Sequence, residues 1–578
     1  MKENFLFLKK VTDKTFWETV RTSPKYHFIV EELLEAYKRY EGKSLEELPY
    51  RLFKQFFDNG NRTNFERYYF DRRERMNVCA LLSMIFPEEE AYLEELQDVL
   101  WAVCNEYSWA LPAHLGLSKK TGAYDEENIK NEFNLIDLFA SETGYALSEI
   151  KAILGERLDD DVKKRISTEV ERRIISPFMN DTYFWEFYPD NWAAVCAGSV
   201  GCAFLYERPD LFPKVKERID ASLRVFLSSY KAGGVCEEGV TYWEYGFGFF
   251  VAYAQTLYEH TGGKEDLFAG EHVKSIAEYA NIVFLNDGYP LTFSDASMLK
   301  NPVSFGLLEQ LKAYYGDVIL TLNKENYSVI SSRARWQNHI RSIAYFNPDR
   351  EYKAEKREDV ILKQDAGLFI KRSKLYDIAV TAGNNDAPHN HNDLGSFILR
   401  VGEDRVFDDL GAGEYTKAYF EAESRYQHLV CGSQGHSVPI INGYCQPAGK
   451  EYRGEMTYAE NKLTVDLSKA YNCPGLNSFI RSFDFKEKSF TLQDSFSFCG
   501  EGDVTERFIT KIKPEITAEG IEVANAKLTY NKNDWEPSVL EDGYRDHYNC
   551  NCGEVTVYIL DFKPRKEDVT HFEMTITV

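Results

Sequence analysis

The residue pattern of this chain changes near position 345. Before that position, apolar residues recur every three to four positions in 88–109, 161–175 and 272–285. This spacing places the apolar side chains on one face of an α-helix. Strand-like alternation is scarce there. The first part of the chain is therefore predicted to be a helical domain, residues 1–345.

After the polar and aperiodic stretch 347–359, apolar residues alternate with polar ones in every second position. Such alternation, rich in β-branched and aromatic residues, is typical of half-buried strands. It occupies 462–471, 478–498, 553–562 and 571–578. The second part, residues 346–578, is therefore predicted to be an antiparallel β-sheet domain, which makes the protein α+β and multidomain.

The composition supports a folded protein that does not bind nucleic acid. At 578 residues, with 44% hydrophobic and 28% charged residues, the chain can build more than one core. The net charge of −24 repels phosphate backbones and anionic lipid, so neither nucleic acid nor a membrane is an expected partner. A polyanionic sugar remains compatible, because charges beyond about 8 Å are largely screened at physiological salt.

The cysteines and the N-terminus indicate a reducing compartment. The 11 cysteines are odd in number and scattered, unlike a disulfide framework. Only four consecutive apolar residues, 5–8, stand near the N-terminus, which is too short for a signal-peptide core. We expect a cytoplasmic protein, or an exported one whose signal peptide is missing from this sequence. The sequence leaves open whether it is a homo-oligomer.

Histidines and carboxylates concentrate in 384–415. His389 and His391 are two residues apart, which on a strand puts both side chains on one face. Strands that return to this region could bring His391 together with Asp408 and His436, and two imidazoles with one carboxylate suit zinc. Asp409 is the rival ligand to Asp408.

The block H-x-H-x-D-x-x-S-F at 389–397, the following FDDLGAGEY and the later GHSVP resemble the β-domain signature of the heparinase II/III family. The helical part is similar to toroid motifs of that family, in the same order, at 105–116, 136–144, 191–201, 237–246 and 288–297. The resemblance covers roughly residues 80 to 440. It implies an incomplete (α/α) toroid followed by an antiparallel β-sandwich that carries a zinc site.

The resemblance also implies an activity, that of a polysaccharide lyase. Such an enzyme cleaves uronic-acid-containing glycans by β-elimination to give unsaturated oligosaccharides. The expected substrates are glycosaminoglycan-like (heparin or heparan sulfate, hyaluronan, chondroitin) or alginate-like. The acidic composition and the absence of an export signal favour exolytic action on oligosaccharides.

Roles for single residues follow from the resemblance. Asn191 is expected to meet the substrate carboxylate, Tyr242 to transfer the proton, with Tyr245 as the alternative, and His389 to be the partner of that tyrosine. Where some members have a histidine beside the asparagine, this chain has Trp192. One zinc ion per chain would be held by His391, Asp408 and His436, with a structural role and with the fourth ligand undefined.

Further candidates have structural alternatives of equal or greater weight. His114, Glu238 and Arg425 are candidate substrate-binding residues, although core packing, helix capping and solvated surface would also explain them. The arginines Arg333, Arg335 and Arg341 have the same surface alternative. His547, Cys550 and Cys552 offer a second soft metal site, or simply a cysteine-bearing loop.

Two other functions remain open from the sequence. A glycoside hydrolase would need a pair of carboxylates, for which Glu237, Glu238 and Asp295 are available. A non-catalytic carbohydrate-binding protein would keep an aromatic cleft without turnover. The chemistry of the product distinguishes all three functions.

Overall fold

The structure is a computed structural model that describes residues 2, 5–45, 47–125, 135–231, 233–297, 299, 303–331, 333–549, 553–566 and 570–578. The chain forms two compact units. Unit 1 comprises Met1–Tyr230, Tyr242–Glu278 and Val303–Lys353, and unit 2 comprises Lys231–Thr241, Tyr279–Pro302 and Ala354–Val578. Two segments that the sequence pattern placed in the helical domain therefore belong to unit 2.

The helices follow one another along the first part of the chain. In chain order they are α1 (Leu8–Val11), α2 (Lys14–Thr22), α3 (His27–Lys38), α4 (Tyr50–Phe53), α5 (Gln55–Asn59), α6 (Thr63–Ile85), α7 (Glu90–Cys104), α8 (Leu138–Leu154), α9 (Asp160–Val170), α10 (Ser176–Asn180), α11 (Asn191–Glu207), α12 (Phe212–Leu227), α13 (Val240–His260), α14 (Glu271–Ala277), α15 (Tyr279–Val283), α16 (Phe305–Tyr315), α17 (Trp336–Tyr345) and α18 (Lys417–Phe420). α15 and α18 lie in unit 2.

Unit 1 is built from helices that pack in pairs. α6 packs on α7, α8 on α11, α11 on α12, and α16 on α17. α11 is rich in small residues, and a Cβ atom at its Gly198 would lie 2.7 Å from the carbonyl oxygen of Phe249 in α13. The absence of a side chain at Gly198 thus permits a close backbone approach between two helices. Among the described residues, no helix is long and apolar enough to span a bilayer.

Side chains fix where the helices near the candidate site begin. The carboxylate of Asp190 accepts a hydrogen bond from the backbone N–H of Trp192 at 2.9 Å and caps α11. Asp137 caps α8 in the same way through the N–H of Ala140, at 2.7 Å. Because an N-cap satisfies an otherwise unpaired backbone donor, these two aspartates set the position of the first helical residues, including Asn191.

The strands of unit 2 begin after Ala354. They are β1 (Asp359–Lys363), β2 (Leu368–Arg372), β3 (Tyr376–Thr381), β4 (Gly383–Asn385), β5 (Phe397–Val401), β6 (Asp404–Phe407), β7 (Ile440–Ile441), β8 (Gly449–Ala459), β9 (Lys462–Lys469), β10 (Leu476–Phe485), β11 (Ser489–Phe498), β12 (Val504–Thr510), β13 (Glu515–Ile516), β14 (Ile521–Val523), β15 (Ala526–Tyr530), β16 (Trp535–Tyr544), β17 (Val555–Pro564) and β18 (His571–Thr577).

The strands form antiparallel sheets that share one apolar core. The orders are β1-β2-β3-β5-β6, β13-β14-β15-β18-β11-β10-β9-β8-β4 and β16-β17-β12-β7. The ring of Phe397 in the first sheet lies 5.5 Å from that of Phe483 in the second and 6.1 Å from that of Phe508 in the third. All three rings are fully buried. The predicted fold class, a helical part followed by an antiparallel β-sandwich, is confirmed.

Candidate metal centre and catalytic residues

Four side chains of unit 2 converge on Asp295, whose carboxylate is fully buried. Its Oδ2 accepts hydrogen bonds from His389 Nδ1 at 2.9 Å and from Arg425 Nη2 at 3.1 Å. Its Oδ1 accepts from His391 Nε2 at 2.9 Å and from the hydroxyl of Tyr419. Burial alone would raise the pKa of Asp295, but Arg425 and the two histidines hold it well below its usual range. The carboxylate is thus ionised.

His389 and His391 lie in the loop between β4 and β5, so the predicted strand at this position is wrong. They nevertheless face the same group, because each contacts one oxygen of Asp295. His389 has a left-handed backbone with φ of 58°, which is uncommon for a residue with a side chain and is frequent at functional sites. Its side chain is 19% exposed, whereas that of His391 is fully buried.

His391 also belongs to a group of possible metal ligands. His391, Asp409 and His436 are all buried and offer ligand atoms within 4.8 Å of one another. His436 Nε2 donates to the carbonyl oxygen of Val430 at 2.9 Å, and its Nδ1 lies 3.0 Å from Asp409 Oδ2. Among the described residues, none forms a hydrogen bond with His391 Nδ1, which is buried. A buried imidazole nitrogen with no partner, beside a second imidazole held by a carbonyl, fits a zinc ion.

Asp408 points away from this group. Its Oδ2 accepts a hydrogen bond from Lys511 Nζ at 2.9 Å, and its Oδ1 lies 3.4 Å from Arg405 Nη1. Because neighbouring residues of extended chain face opposite sides, Asp408 and Asp409 at the end of β6 cannot both face His436. The geometry favours Asp409, the alternative that the sequence left open, over Asp408.

The electrostatics of the group also favour a cation. Burial alone would lower the pKa of His436, but Asp409 and Asp393 raise it to about 8. Burial raises the pKa of Asp393 to about 7. Asp295, His391 and Cys431 form a second set of possible ligands within 4.8 Å. Asp295 already accepts four hydrogen bonds, so this second set suits a metal less well.

In unit 1, Asn191 is the first residue of α11 and is buried. His114 lies near the same helix end, because its ring centroid is 5.0 Å from that of Trp192. Its Nδ1 donates to Asp137 Oδ2 at 2.7 Å, and its ring stacks on Phe139. The Asp137 carboxylate therefore orients the imidazole of His114 and caps α8 at once.

Tyr242 and Tyr245 both belong to α13, where their spacing of three places them on one face. The hydroxyl of Tyr245 donates to Glu142, and its ring centroid lies 3.7 Å from the guanidinium carbon of Arg335. Burial raises the pKa of Glu142 to about 7. Burial and Glu142 raise the pKa of Tyr245 well above its usual value. This phenol therefore stays protonated and cannot accept a proton.

Most of the remaining candidates are held by other protein groups. Arg425 contacts Asp295 and donates to the carbonyl oxygen of Asn390 at 3.1 Å. Arg341 is buried and binds both oxygens of Glu149, at 3.0 and 3.1 Å. The surface interpretation of Arg341 is therefore wrong.

The other candidates are placed as follows. Glu238 is buried in the segment of unit 2 that precedes α13. Arg333 lies over the ring of Phe70, with its guanidinium carbon 5.3 Å from the centroid. His547 stacks on Tyr415 with centroids 3.6 Å apart, while Cys550 and Cys552 lie outside the described residues.

The sequence reasoning missed the carboxylates that orient these groups. The sequence marks Asp295 only as a candidate hydrolase carboxylate, and it marks neither Asp137 nor Glu142 as a candidate site residue. Asp295 lies in the segment 288–297, which resembles a family motif, and Asp137 has the N-cap signal of an acidic residue before a helix. Nothing in the sequence pattern marks Glu142, because its partner Tyr245 is 103 residues away.

No family model and no curated protein matches the chain. Several solved structures match it at low sequence identity. Heparinase III has a TM-score of 0.60 and 14% identity, covering 99% of this chain and 91% of that one. Heparan sulfate lyase HepC from Pedobacter heparinus has a TM-score of 0.53 and 14% identity, covering 96% and 88%. Chondroitin AC lyase from Streptomyces coelicolor A3 has a TM-score of 0.56 and 9% identity, covering 99% and 82%. The chain therefore has a fold similar to that of these lyases.

Proposed function

We propose that this protein is a polysaccharide lyase that cleaves uronic-acid-containing glycans by β-elimination and releases unsaturated oligosaccharides. The observation that carries the proposal is His389, a partly exposed imidazole that a buried ionised carboxylate orients. The likeness to heparinase III and chondroitin AC lyase supports a glycosaminoglycan-like substrate. We propose exolytic action on oligosaccharides, from the acidic composition of the chain.

The chemistry sets the roles of the residues. Removal of the C5 proton of a uronate pushes negative charge into its carboxylate, the bond from C4 to the leaving oxygen breaks, and a C4–C5 double bond forms. The amide of Asn191 would stabilise the charged carboxylate, as a neutral donor aimed at developing charge does. Tyr242, as the phenolate, would accept the C5 proton and then give it to the leaving oxygen, with His389 as the second proton-transfer residue.

Zinc is part of the proposal. The residues His391, Asp409 and His436 would hold it, and the ion would supply positive charge and rigidity to the loop that carries His389. Elimination needs no water nucleophile, so a bracing role is sufficient. Three protein ligands leave the fourth coordination position of a tetrahedral zinc ion open.

A single assay tests the proposed reaction. The protein is incubated with heparan sulfate, hyaluronan, chondroitin and alginate, and both ultraviolet absorbance and new reducing ends are measured. Elimination produces both signals. Reducing ends without ultraviolet absorbance would identify a hydrolase, and binding without product would identify a carbohydrate-binding protein; either result contradicts the proposal.

Two variants connect the activity to the site. His389→Ala and Asn191→Ala should each lower turnover by at least about a hundredfold while the fold is retained, the usual scale for loss of a proton-transfer or charge-stabilising group. His571→Ala is the matched control, because this imidazole is 52% exposed on β18. Turnover near that of the wild type in His389→Ala would remove this residue from the mechanism.

A further inference from the structure

We propose that Asp295 is a positioning residue that fixes the tautomers of His389 and His391 together. By accepting an N–H from each ring, this one carboxylate would leave a lone pair on Nε2 of His389 for proton transfer. It would likewise leave a lone pair on Nδ1 of His391 for binding a metal. The inference deepens the proposed function and rests on it.

Asp295 is the acceptor in its hydrogen bonds with the two histidines. An ionised carboxylate can only accept hydrogen bonds. Asp295 is ionised because it is paired with Arg425, whose Nη2 lies 3.1 Å from Oδ2. The nitrogens within 2.9 Å of its oxygens, His389 Nδ1 and His391 Nε2, must therefore both carry hydrogen.

Each of the two histidines then keeps one ring nitrogen that carries a lone pair. A neutral imidazole carries one N–H, so the lone pair of His389 lies on Nε2 and that of His391 lies on Nδ1. His391 Nδ1 is buried, and no group in the described part of the chain forms a hydrogen bond with it. Metal-binding histidines usually donate their other N–H to a carboxylate or carbonyl, as His391 does to Asp295 and His436 to Val430.

Further contacts fix the position of the Asp295 carboxylate. The hydroxyl of Tyr419 and the guanidinium of Arg425 hold its two oxygens from other directions. The backbone N–H of Asp295 also donates to the carbonyl oxygen of His389 at 3.2 Å. His389 thus binds Asp295 through both its backbone and its side chain, although its backbone conformation is unfavourable.

The inference is tested with Asp295→Asn, which keeps the shape and the backbone bond but replaces one acceptor oxygen by a donor. We expect zinc affinity, measured by competition with a chelator, to fall about 10- to 100-fold, the usual scale for a residue that supports a metal ligand. We expect kcat to fall at least about tenfold, with KM nearly unchanged, because proton transfer is impaired and substrate contacts are not.

The matched control is Asp377→Asn. Asp377 is also fully buried in unit 2 and pairs with an arginine, Arg400, at 2.7 Å. It contacts no histidine in the described part of the chain. Its variant should keep both zinc affinity and kcat, whatever its effect on folding stability.

The wild-type protein provides a readout that needs no variant. Nitrogen-15 NMR of labelled histidine side chains should show His389 protonated on Nδ1 and, in the zinc-loaded protein, His391 protonated on Nε2. The opposite tautomer at either residue overturns the inference. If Asp295→Asn keeps the zinc affinity and kcat of the wild type, the inference is also overturned. A complete loss of zinc in Asp295→Asn, equal to that in His391→Ala, overturns it as well, because Asp295 would then be a zinc ligand. If no glycan yields product but the tautomers and zinc affinity behave as stated, only the proposed function fails.

Discussion

At the scale of single residues, buried or nearly buried carboxylates orient candidate functional side chains in each unit. Asp295 holds His389, Asp137 holds His114, and Glu142 accepts from a tyrosine. An isolated carboxylate is costly to bury, and each of these is offset by hydrogen bonds or by an arginine. Such pairs fix which nitrogen or hydroxyl of each side chain is already bound by another protein group.

The two tyrosines of α13 provide a residue-scale prediction. Tyr242→Phe should abolish elimination and retain substrate binding, because only a hydroxyl is lost. Tyr245→Phe should reduce turnover only mildly, because its hydroxyl is committed to Glu142. The measurements are kcat and glycan binding, with circular dichroism to confirm folding. The reverse result would assign proton transfer to Tyr245.

A second residue-scale prediction concerns stability against pH. His339 is fully buried in α17, where its Nε2 accepts a hydrogen bond from the N–H of Ser331 at 3.0 Å. Burial lowers the pKa of His339 to about 3. The unfolded chain binds a proton here below pH ~6.5 but the folded chain does not, so the free energy of unfolding should fall as pH decreases from ~6.5 towards ~3.

The measurement for His339 is denaturant unfolding at several pH values. His339→Gln should be less stable at neutral pH, because burial and packing change, but should lose less stability on acidification than the wild type. His27→Gln is the control, since the side chain of His27 is exposed and its contact with Glu31 is open to solvent. An identical pH slope in the wild type and His339→Gln would show that this histidine is protonated in the folded protein.

Sequence and resemblance identified the histidines of the candidate site but not the carboxylates beside them. Asp408 and Asp409 are adjacent and chemically equal, so only the direction of the chain at the end of β6 distinguishes them. Asp295 contacts His389 across 94 residues, and neither periodicity nor motif spacing encodes such a contact. The sequence therefore predicts residues within one motif well, but it does not predict contacts between residues that are far apart in the chain.

At the scale of elements, the regular segments were predictable because burial repeats with a fixed period. The alternation in 553–562 corresponds to β17, and the helical spacing in 161–175 corresponds to α9 and the π-helical turn Glu171–Ile175. The segment around His389 was mistaken for a strand because polar residues alternate there. Its backbone is instead set by contacts with Asp295, which override local propensity.

Close packing of α16 on α17 gives an element-scale prediction. A Cβ atom at Gly306 would lie 2.4 Å from the backbone nitrogen of Ser342, so Gly306→Ala should separate the helices and lower the free energy of unfolding by about 1–3 kcal/mol. Gly248→Ala is the matched control in α13, because its nearest neighbour would be 3.6 Å away. Denaturant unfolding compares them, and equal stabilities would contradict the packing argument.

At the scale of the whole molecule, the chain consists of two units. The main boundary between them lies close to the position where the helical residue pattern gives way to the strand pattern. The pattern changes near 345, while the units divide between Lys353 and Ala354. The segments Lys231–Thr241 and Tyr279–Pro302 escaped the prediction because a unit is defined by contacts and not by secondary structure. The second of these segments supplies Asp295.

Zinc content provides the prediction for the whole molecule. We expect about one zinc ion per chain, held by His391, Asp409 and His436, and we expect a chelator to lower the thermal stability, because the binding energy of a structural metal is folding energy. Asp409→Asn should lose the metal, whereas Asp408→Asn should retain it, since Asp408 binds Lys511 instead. Elemental analysis of both purified variants decides between the aspartates.

Loss of zinc only in Asp408→Asn would restore the assignment drawn from the sequence, and wild-type protein purified without zinc would contradict the metal centre itself. A chelator that leaves stability unchanged while it removes zinc would show that the loop carrying His389 is held by Asp295 alone.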